Sequence, residues 1–212
     1  MDMLERDAAL AEMHRCLRQA DAGQGVVLLI SGEAGVGKTS LLNRFLAECD
    51  ARVLLGRCDG VATPRPLAPV FDLNEPALTQ LLLDEAPRDV LFRAVLDRSA
   101  RRHATSVLAF EDVHWADEAT LDLLRYLGRR IAAARSLLIA TFRDDEVGPR
   151  HPLRTLLGDL ATNTPLHQVD LAPLSLAAVR QLASGTRQDA VELHTRTGGN
   201  PFYVTEALAA PG

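Results

Sequence analysis

Ten residues, Ser31-Gly32-Glu33-Ala34-Gly35-Val36-Gly37-Lys38-Thr39-Ser40, constrain this chain more than any other stretch. They satisfy the pattern Gly-x-x-x-x-Gly-Lys-[Ser/Thr], with Gly32, Gly37, Lys38 and Thr39 at the required positions. Val26-Val27-Leu28-Leu29-Ile30 before them is an apolar run of strand length, and Leu41 to Ala47 after them carries apolar residues at helical spacing. Strand, glycine-rich turn and helix in that order make a phosphate-binding loop. Glycines let successive backbone N–H groups point inward. The helix beginning near Gly37 adds the positive end of its dipole. Lys38 supplies a point charge for the β- and γ-phosphates, and the Thr39 hydroxyl a ligand for Mg²⁺. The expected cradle is Gly32, Glu33, Ala34, Gly35, Val36, Gly37, Lys38, Thr39 and Ser40.

With 212 residues there is room for one α/β domain and a small appendage. A net charge of −5 argues against nucleic-acid binding by bulk electrostatics. Cys16, Cys49 and Cys58 are an odd, scattered set with neither disulfide nor zinc spacing, so idle thiols are expected. The charged start, Met1-Asp2-Met3-Leu4-Glu5-Arg6-Asp7, lacks an apolar signal core, and no apolar run reaches membrane-spanning length. A cytoplasmic location is the expectation.

The pattern along the chain alternates strands and helices. A helix over 5–20 is followed by Gly23 and Gly25, the loop strand, and the helix to about 48. A strand over 52–57 leads into a loop over 59–76 punctuated by Pro64, Pro66, Pro69 and Pro76. Helical patterns cover 77–83 and 88–103, with three arginines in Arg98–Arg102 near the second helix end. Val107 to Phe110 and Leu137 to Phe142 read as buried strands, with an amphipathic helix over 120–133 between them, entered through Asp117 as N-cap. A short helix over 152–160 and an edge strand over 168–171 follow. Past Pro173 only helices are expected: 175–183, 188–197, and one opened by Asn200 as cap and Pro201 as first helical residue. The expected fold class is α/β, a P-loop NTPase parallel sheet sandwiched by helices (residues 1–172) followed by a small helical lid (residues 173–212).

Chemistry on a triphosphate also needs an acid near Mg²⁺ and a group that orients water. In an open α/β sheet these lie at the carboxyl ends of strands. Glu111 and Asp112 stand at such an end. The first is the candidate for the Mg²⁺ shell, the second for orienting water; an ordinary acidic strand exit is the alternative. Arg143 ends another strand, where a guanidinium can reach a γ-phosphate or simply pair with Asp144, Asp145 or another acid. His114 and Trp115 have the plainer role of packing their loop on the sheet. Histidines do not cluster in the sequence, so Mg²⁺ delivered with a nucleotide is the metal expected. Guanine selectivity is unsupported, since no Asn-Lys-x-Asp pattern occurs.

Four motifs in order resemble the ATPase module of the STAND class of AAA-related P-loop NTPases, and most of all large ATP-binding regulators of the LuxR type. They are Gly32 to Thr39, Phe110-Glu111-Asp112-Val113-His114-Trp115-Ala116-Asp117, Thr141-Phe142-Arg143, and Gly198-Gly199-Asn200-Pro201-Phe202-Tyr203. The resemblance implies ATP or ADP with Mg²⁺ as cofactor. Lys38 and Thr39 bind triphosphate and metal, Glu111 takes the usual aspartate position beside the metal, and Asp112 is its neighbouring acid. Arg143 is the sensor, Pro201 lies near adenine and ribose, and the Leu4–Arg6 segment covers the base. Two departures stand out: glutamate rather than aspartate at 111, and Leu-Glu-Arg where Gly-Arg-Glu is usual. The resemblance further implies a slow ATP-hydrolysing switch, compatible with homo-oligomers, whose sensor and DNA-binding domains lie outside these 212 residues. No direct nucleic-acid or membrane contact is expected of this chain. A catalytically silent nucleotide-binding module, and a metabolic ATPase or phosphotransferase, are the alternatives.

Overall fold

The computed structural model describes residues 3–61, 63, 65–100 and 104–210. Pro64 of the proline-rich loop and Arg101 and Arg102 of the arginine run lie outside the described residues, as do Met1, Asp2 and Gly212.

Five strands form one parallel sheet: β1 (Val26–Ser31), β2 (Arg52–Arg57), β3 (Ser106–Glu111), β4 (Ser136–Thr141) and β5 (Leu166–Asp170), in the order β2-β3-β4-β1-β5. β1, β3 and β4 are buried along their whole length. Their uninterrupted apolar sequences suit a sheet covered on both faces. The pleat sends Val26, Leu28, Ile30, Val107, Ala109, Leu137 and Ile139 toward one side. There α1 (Asp7–Asp21) contributes Leu10, Met13 and Leu17, and α2 (Lys38–Glu48) contributes Leu41, Leu42 and Phe45. Val27, Leu29, Leu108, Phe110 and Leu138 face the other side, against α5 (Arg88–Ser99), α6 (Glu118–Gly128) and α7 (Pro152–Asn163). Two short helices, α3 (Ala68–Phe71) and α4 (Pro76–Leu83), order the proline-rich connection.

Beyond β5 come α8 (Leu176–Ala183), α9 (Ala190–Thr197) and α10 (Pro201–Ala209). They share a separate small cluster of Leu174, Ala178, Val179, Ala183, Leu193 and Val204, against which Leu4 packs.

Asp117 caps α6 as expected, accepting from the N–H groups of Ala119 and Thr120. The helix expected over 120–133 nevertheless stops at Gly128. Gly128 lies so near α7 that a Cβ there would sit 2.2 Å from Leu160. The chain then turns through a 3₁₀ segment, Ile131–Ala133, and folds over the start of β1, where Gly25 donates to the Ala132 carbonyl at 3.2 Å. That tertiary contact overrides the helical periodicity. The helical pattern expected to 103 gives a helix ending at Ser99, and the expected edge strand runs over Leu166–Asp170, beside β1. Among the described residues no helix is long and apolar enough to cross a membrane.

Candidate functional site

The loop between β1 and α2 is built on backbone conformations that side chains resist. Gly37, the residue before α2, has φ +100°, and Gly35 has φ +75°. A Cβ on Gly35 would lie 2.9 Å from both Asn200 Oδ1 and Phe202 Cβ. The loop thereby curls over the N-terminus of α2. Lys38 Nζ bends back to donate to the Gly32 carbonyl at 2.7 Å and the Glu33 carbonyl at 2.9 Å. Burial lowers the Lys38 pKa, with the Asp112 carboxylate opposing that shift.

A cleft of about 520 Å³ opens in front of this loop. Gly35, Val36, Gly37, Lys38, Thr39 and Ser40 form its floor, Asp112 and Arg143 one wall, and Pro201 and Phe202 another. Gly32 and Glu33 meet Lys38 from behind, and the Ala34 carbonyl accepts from Asn200 Nδ2 at 2.8 Å. Asp112 follows β3 in a left-handed conformation, φ +53°, its N–H donating to the buried Thr141 Oγ1 at 3.0 Å. Burial raises the Asp112 pKa, while Arg143 and Lys38 pull it back.

Glu111 lies behind the cleft wall rather than on it. Its side chain is 3% exposed, and Oε2 accepts from Arg57 Nε at 2.8 Å. Its Oε1 is buried without a partner among the described residues. An orphaned carboxylate oxygen is an acceptor of the kind a hard cation or its water shell takes.

The segment before α1 and the connection into α8 close the cleft. Arg6 is 6% exposed and donates from Nη2 to the carbonyls of Val36 (3.1 Å) and Ala172 (2.8 Å). Burial lowers its pKa, opposed by Glu5. Glu5, at φ +58°, accepts from the Ser175 N–H and hydroxyl at the start of α8. The remaining wall is apolar: Met3, Leu4, Leu174 and Leu182.

Sequence reasoning left one partner unnamed and missed two. Arg143 pairs with another acid, Glu146, rather than with Asp144 or Asp145. His114 is buried and accepts the Arg143 N–H at Nδ1, 3.4 Å away. Arg57, at the end of the edge strand, holds Glu111. The i,i+3 spacing of Arg143 and Glu146 was the available signal; the other two depend on strand order. Away from the cleft, His167 meets Glu12 and Cys16 although nothing in their sequence spacing groups them. The Arg15 guanidinium already donates there, at 2.6 Å to Glu12 and 2.7 Å to His167.

A parallel sheet whose first strand passes through such a loop into a helix, with an acid and an arginine at neighbouring strand ends, defines the P-loop NTPase class of folds. Within it, the chain belongs to the family described as the AAA ATPase domain, which matches residues 3–140. A curated relative, an uncharacterized protein of Rhizobium meliloti (strain 1021), is 28% identical over 225 residues, covering 77% of this chain and 22% of its own length. The chain thus spans about a fifth of that relative. Among solved structures, a STAND protein with a tetratricopeptide repeat sensor from Pyrococcus horikoshii is similar with TM-score 0.59 and 20% identity, over 94% of this chain and 30% of that one. The Aeropyrum pernix ORC2 protein, solved as ADPNP-ADP complexes, gives TM-score 0.60 and 15% identity over 96% and 60%. Cdc6p from Pyrobaculum aerophilum gives 0.57 and 16% over 85% and 48%. These three likenesses are likenesses of fold.

Proposed function

We propose that this chain is an adenine-nucleotide switch module: it binds ATP and ADP with Mg²⁺, hydrolyses ATP slowly, and belongs to a STAND regulator of the LuxR type. The observation that carries the reading is the facing of Lys38 and the α2 N-terminus by Asp112 and Arg143 across one cleft. Lys38 exchanges its two loop carbonyls for phosphate oxygens. The N–H groups at the start of α2 donate to the same anion. Thr39 and Glu111 are the residues to hold Mg²⁺, which when bound neutralises charge on the phosphates. Asp112 accepts from the attacking water and orients it, and Arg143 binds the terminal phosphate. Leu4, Leu174, Pro201 and Phe202, the apolar wall, are the residues that would hold the base. In this reading Arg6 and Asn200 carry the state of the loop into α8–α10, the lid.

The Arg57–Glu111 ion pair favours a second reading, a nucleotide-binding module without turnover, because it occupies one carboxylate oxygen. Calorimetric titration of ATP and ADP with Mg²⁺, against Lys38→Ala, tests the first step. Saturable binding by the wild-type chain and at least tenfold weaker binding by the variant is the expected result. No binding by a folded wild-type chain would sink the proposal. Phosphate release under saturation, abolished in Asp112→Asn, separates the slow ATPase from the silent module.

A further inference from the structure

One ion pair in the cleft has a consequence for nucleotide selection. Arg143 leaves β4 with its guanidinium on the cleft wall, where Nη1 is bonded to Oε1 of Glu146. The face of the guanidinium lies 4.8 Å from the centre of the Trp115 ring. The Arg143 N–H donates to His114 Nδ1, which assigns the imidazole proton to Nε2. That nitrogen is 3.6 Å from the second oxygen of Glu146 and has no hydrogen-bond partner among the described residues. The turn carrying Glu146 is itself fixed. Val147 is buried, its N–H donates to the Asp144 carbonyl at 3.2 Å, and its own carbonyl accepts from Arg154. The Glu146 side chain, by contrast, is 38% exposed and so free to exchange partners.

A carboxylate and a phosphate present the same recognition chemistry to a guanidinium: paired anionic oxygens that accept from its fork. We infer that Glu146 is an internal competitor for Arg143, and that a terminal phosphate binds the arginine only by displacing it. Glu146 thereby sets how strongly the site prefers a nucleoside triphosphate to a diphosphate. The inference rests on the reading that Arg143 meets the terminal phosphate. A diphosphate does not call on Arg143, so its affinity carries no cost from the competition. A triphosphate must break the Arg143–Glu146 pair first. The released carboxylate keeps the Trp115 side chain as a donor and has the His114 Nε2–H 3.6 Å away, so it stays beside the cleft wall. Arg143 is then the sensor, and Glu146 the specificity-determining residue that sets its threshold.

The experiment is a titration of the full chain with the Mg²⁺ complexes of ADP and of the non-hydrolysable imido analogue of ATP. Wild type is compared with Glu146→Gln, Glu146→Ala, Arg143→Ala, the Glu146→Gln/Arg143→Ala pair, and Asp145→Asn. Removing a half-exposed ion-pair partner is worth about 2- to 5-fold. The expected result is a 2- to 5-fold gain in triphosphate affinity for both Glu146 variants with ADP affinity unchanged. That gain disappears on the Arg143→Ala background. Asp145→Asn, a neighbouring exposed carboxylate, leaves the triphosphate-to-diphosphate ratio where it was. An unchanged ratio in both Glu146 variants overturns the inference, as does an equal gain for ADP or the same gain in Asp145→Asn. The underlying reading fails separately: Arg143→Ala would then keep the wild-type ratio, or Lys38→Ala would bind both nucleotides as wild type does.

Discussion

His114 shows what one buried side chain costs at low pH. Its imidazole is sealed beside the cleft, and burial holds its pKa down at about 4, with the Glu146 carboxylate opposing the shift. In the unfolded chain a histidine titrates near pH 6.5. Between those values the unfolded state binds a proton that the folded state refuses, so stability falls as pH drops from about 6.5 toward 4. At pH 5 this one group accounts for about 2 kcal/mol. Urea midpoints of wild type and His114→Gln at pH 7 and pH 5 check it. Wild type loses about 2 kcal/mol more than the variant on acidification; equal losses refute the assignment. Little of this was legible beforehand. A lone histidine after two acids looks like loop packing, and only the parallel pairing of β3 with β4 brings Arg143 to its Nδ1. The placement of Lys38 and Thr39 at the head of α2 was legible because its signal is local: strand, turn and helix lie within one short stretch. Glu111 and Asp112 were legible as a pair at the end of a strand, but not which of them lines the cleft. The sequence cannot tell which of two adjacent acids a left-handed residue turns outward, and it is Asp112, at φ +53°, that reaches the cleft.

Among elements, α10 joins a local signal to a distant contact. Asn200 before Pro201 reads as a helix start, and the side chain does accept from the Phe202 N–H. Its other end donates to the Ala34 carbonyl, and the Phe202 N–H also approaches the Gly35 carbonyl at 3.3 Å. One amide therefore caps a helix and ties that helix to the phosphate loop. Asn200→Ala removes both functions and costs about 1 to 2 kcal/mol. Asn200→Ser keeps a capping oxygen but lacks the reach to Ala34, so it recovers about half of that loss. Chemical denaturation ranks the three. Amide exchange at Phe202 and Tyr203 locates the effect: faster in the Ala variant, near wild type in the Ser variant. Equal destabilisation by both would assign the whole effect to the tie and none to the cap. The end of α6 likewise joins a local signal to a distant contact. Gly128 followed by Arg129 and Arg130 is a stop signal within residues 120–133, and the close approach of Leu160 of α7 leaves no room for a side chain there.

The molecule as a whole is organised around a seam between a large core and a small one. Strand order across the sheet, β2-β3-β4-β1-β5, was not legible, since continuous apolar strands buried on both faces carry no pairing code. That order sets β1 between β4 and β5. The phosphate loop at its end therefore lies beside the Arg143 loop on one side and the connection to α8 on the other. Across the second side runs Arg6, a buried cation whose guanidinium bonds Val36 of the loop and Ala172 of the connection. Glu5 beside it grips Ser175 at the head of α8. The α8–α10 cluster buries only a handful of apolar side chains, while the sheet is covered on both faces. The three helices therefore open at lower free energy than the sheet unfolds. Arg6→Lys keeps the charge but cannot span both carbonyls, and hydrogen bonds from a charged donor are worth about 1.5 to 3 kcal/mol. Hydrogen exchange should then show protection in α8–α10 falling about 10- to 100-fold while β1, β3 and β4 keep theirs. A parallel fall in both regions would mean that the helices and the sheet unfold as one unit, with no separable lid. If only the helices respond, the seam is a hinge, and a nucleotide bridging the loop and the lid acts on the same equilibrium from the other side. Protection in α8–α10 then rises on adding nucleotide with Mg²⁺, and rises furthest where Arg6→Lys has lowered it most.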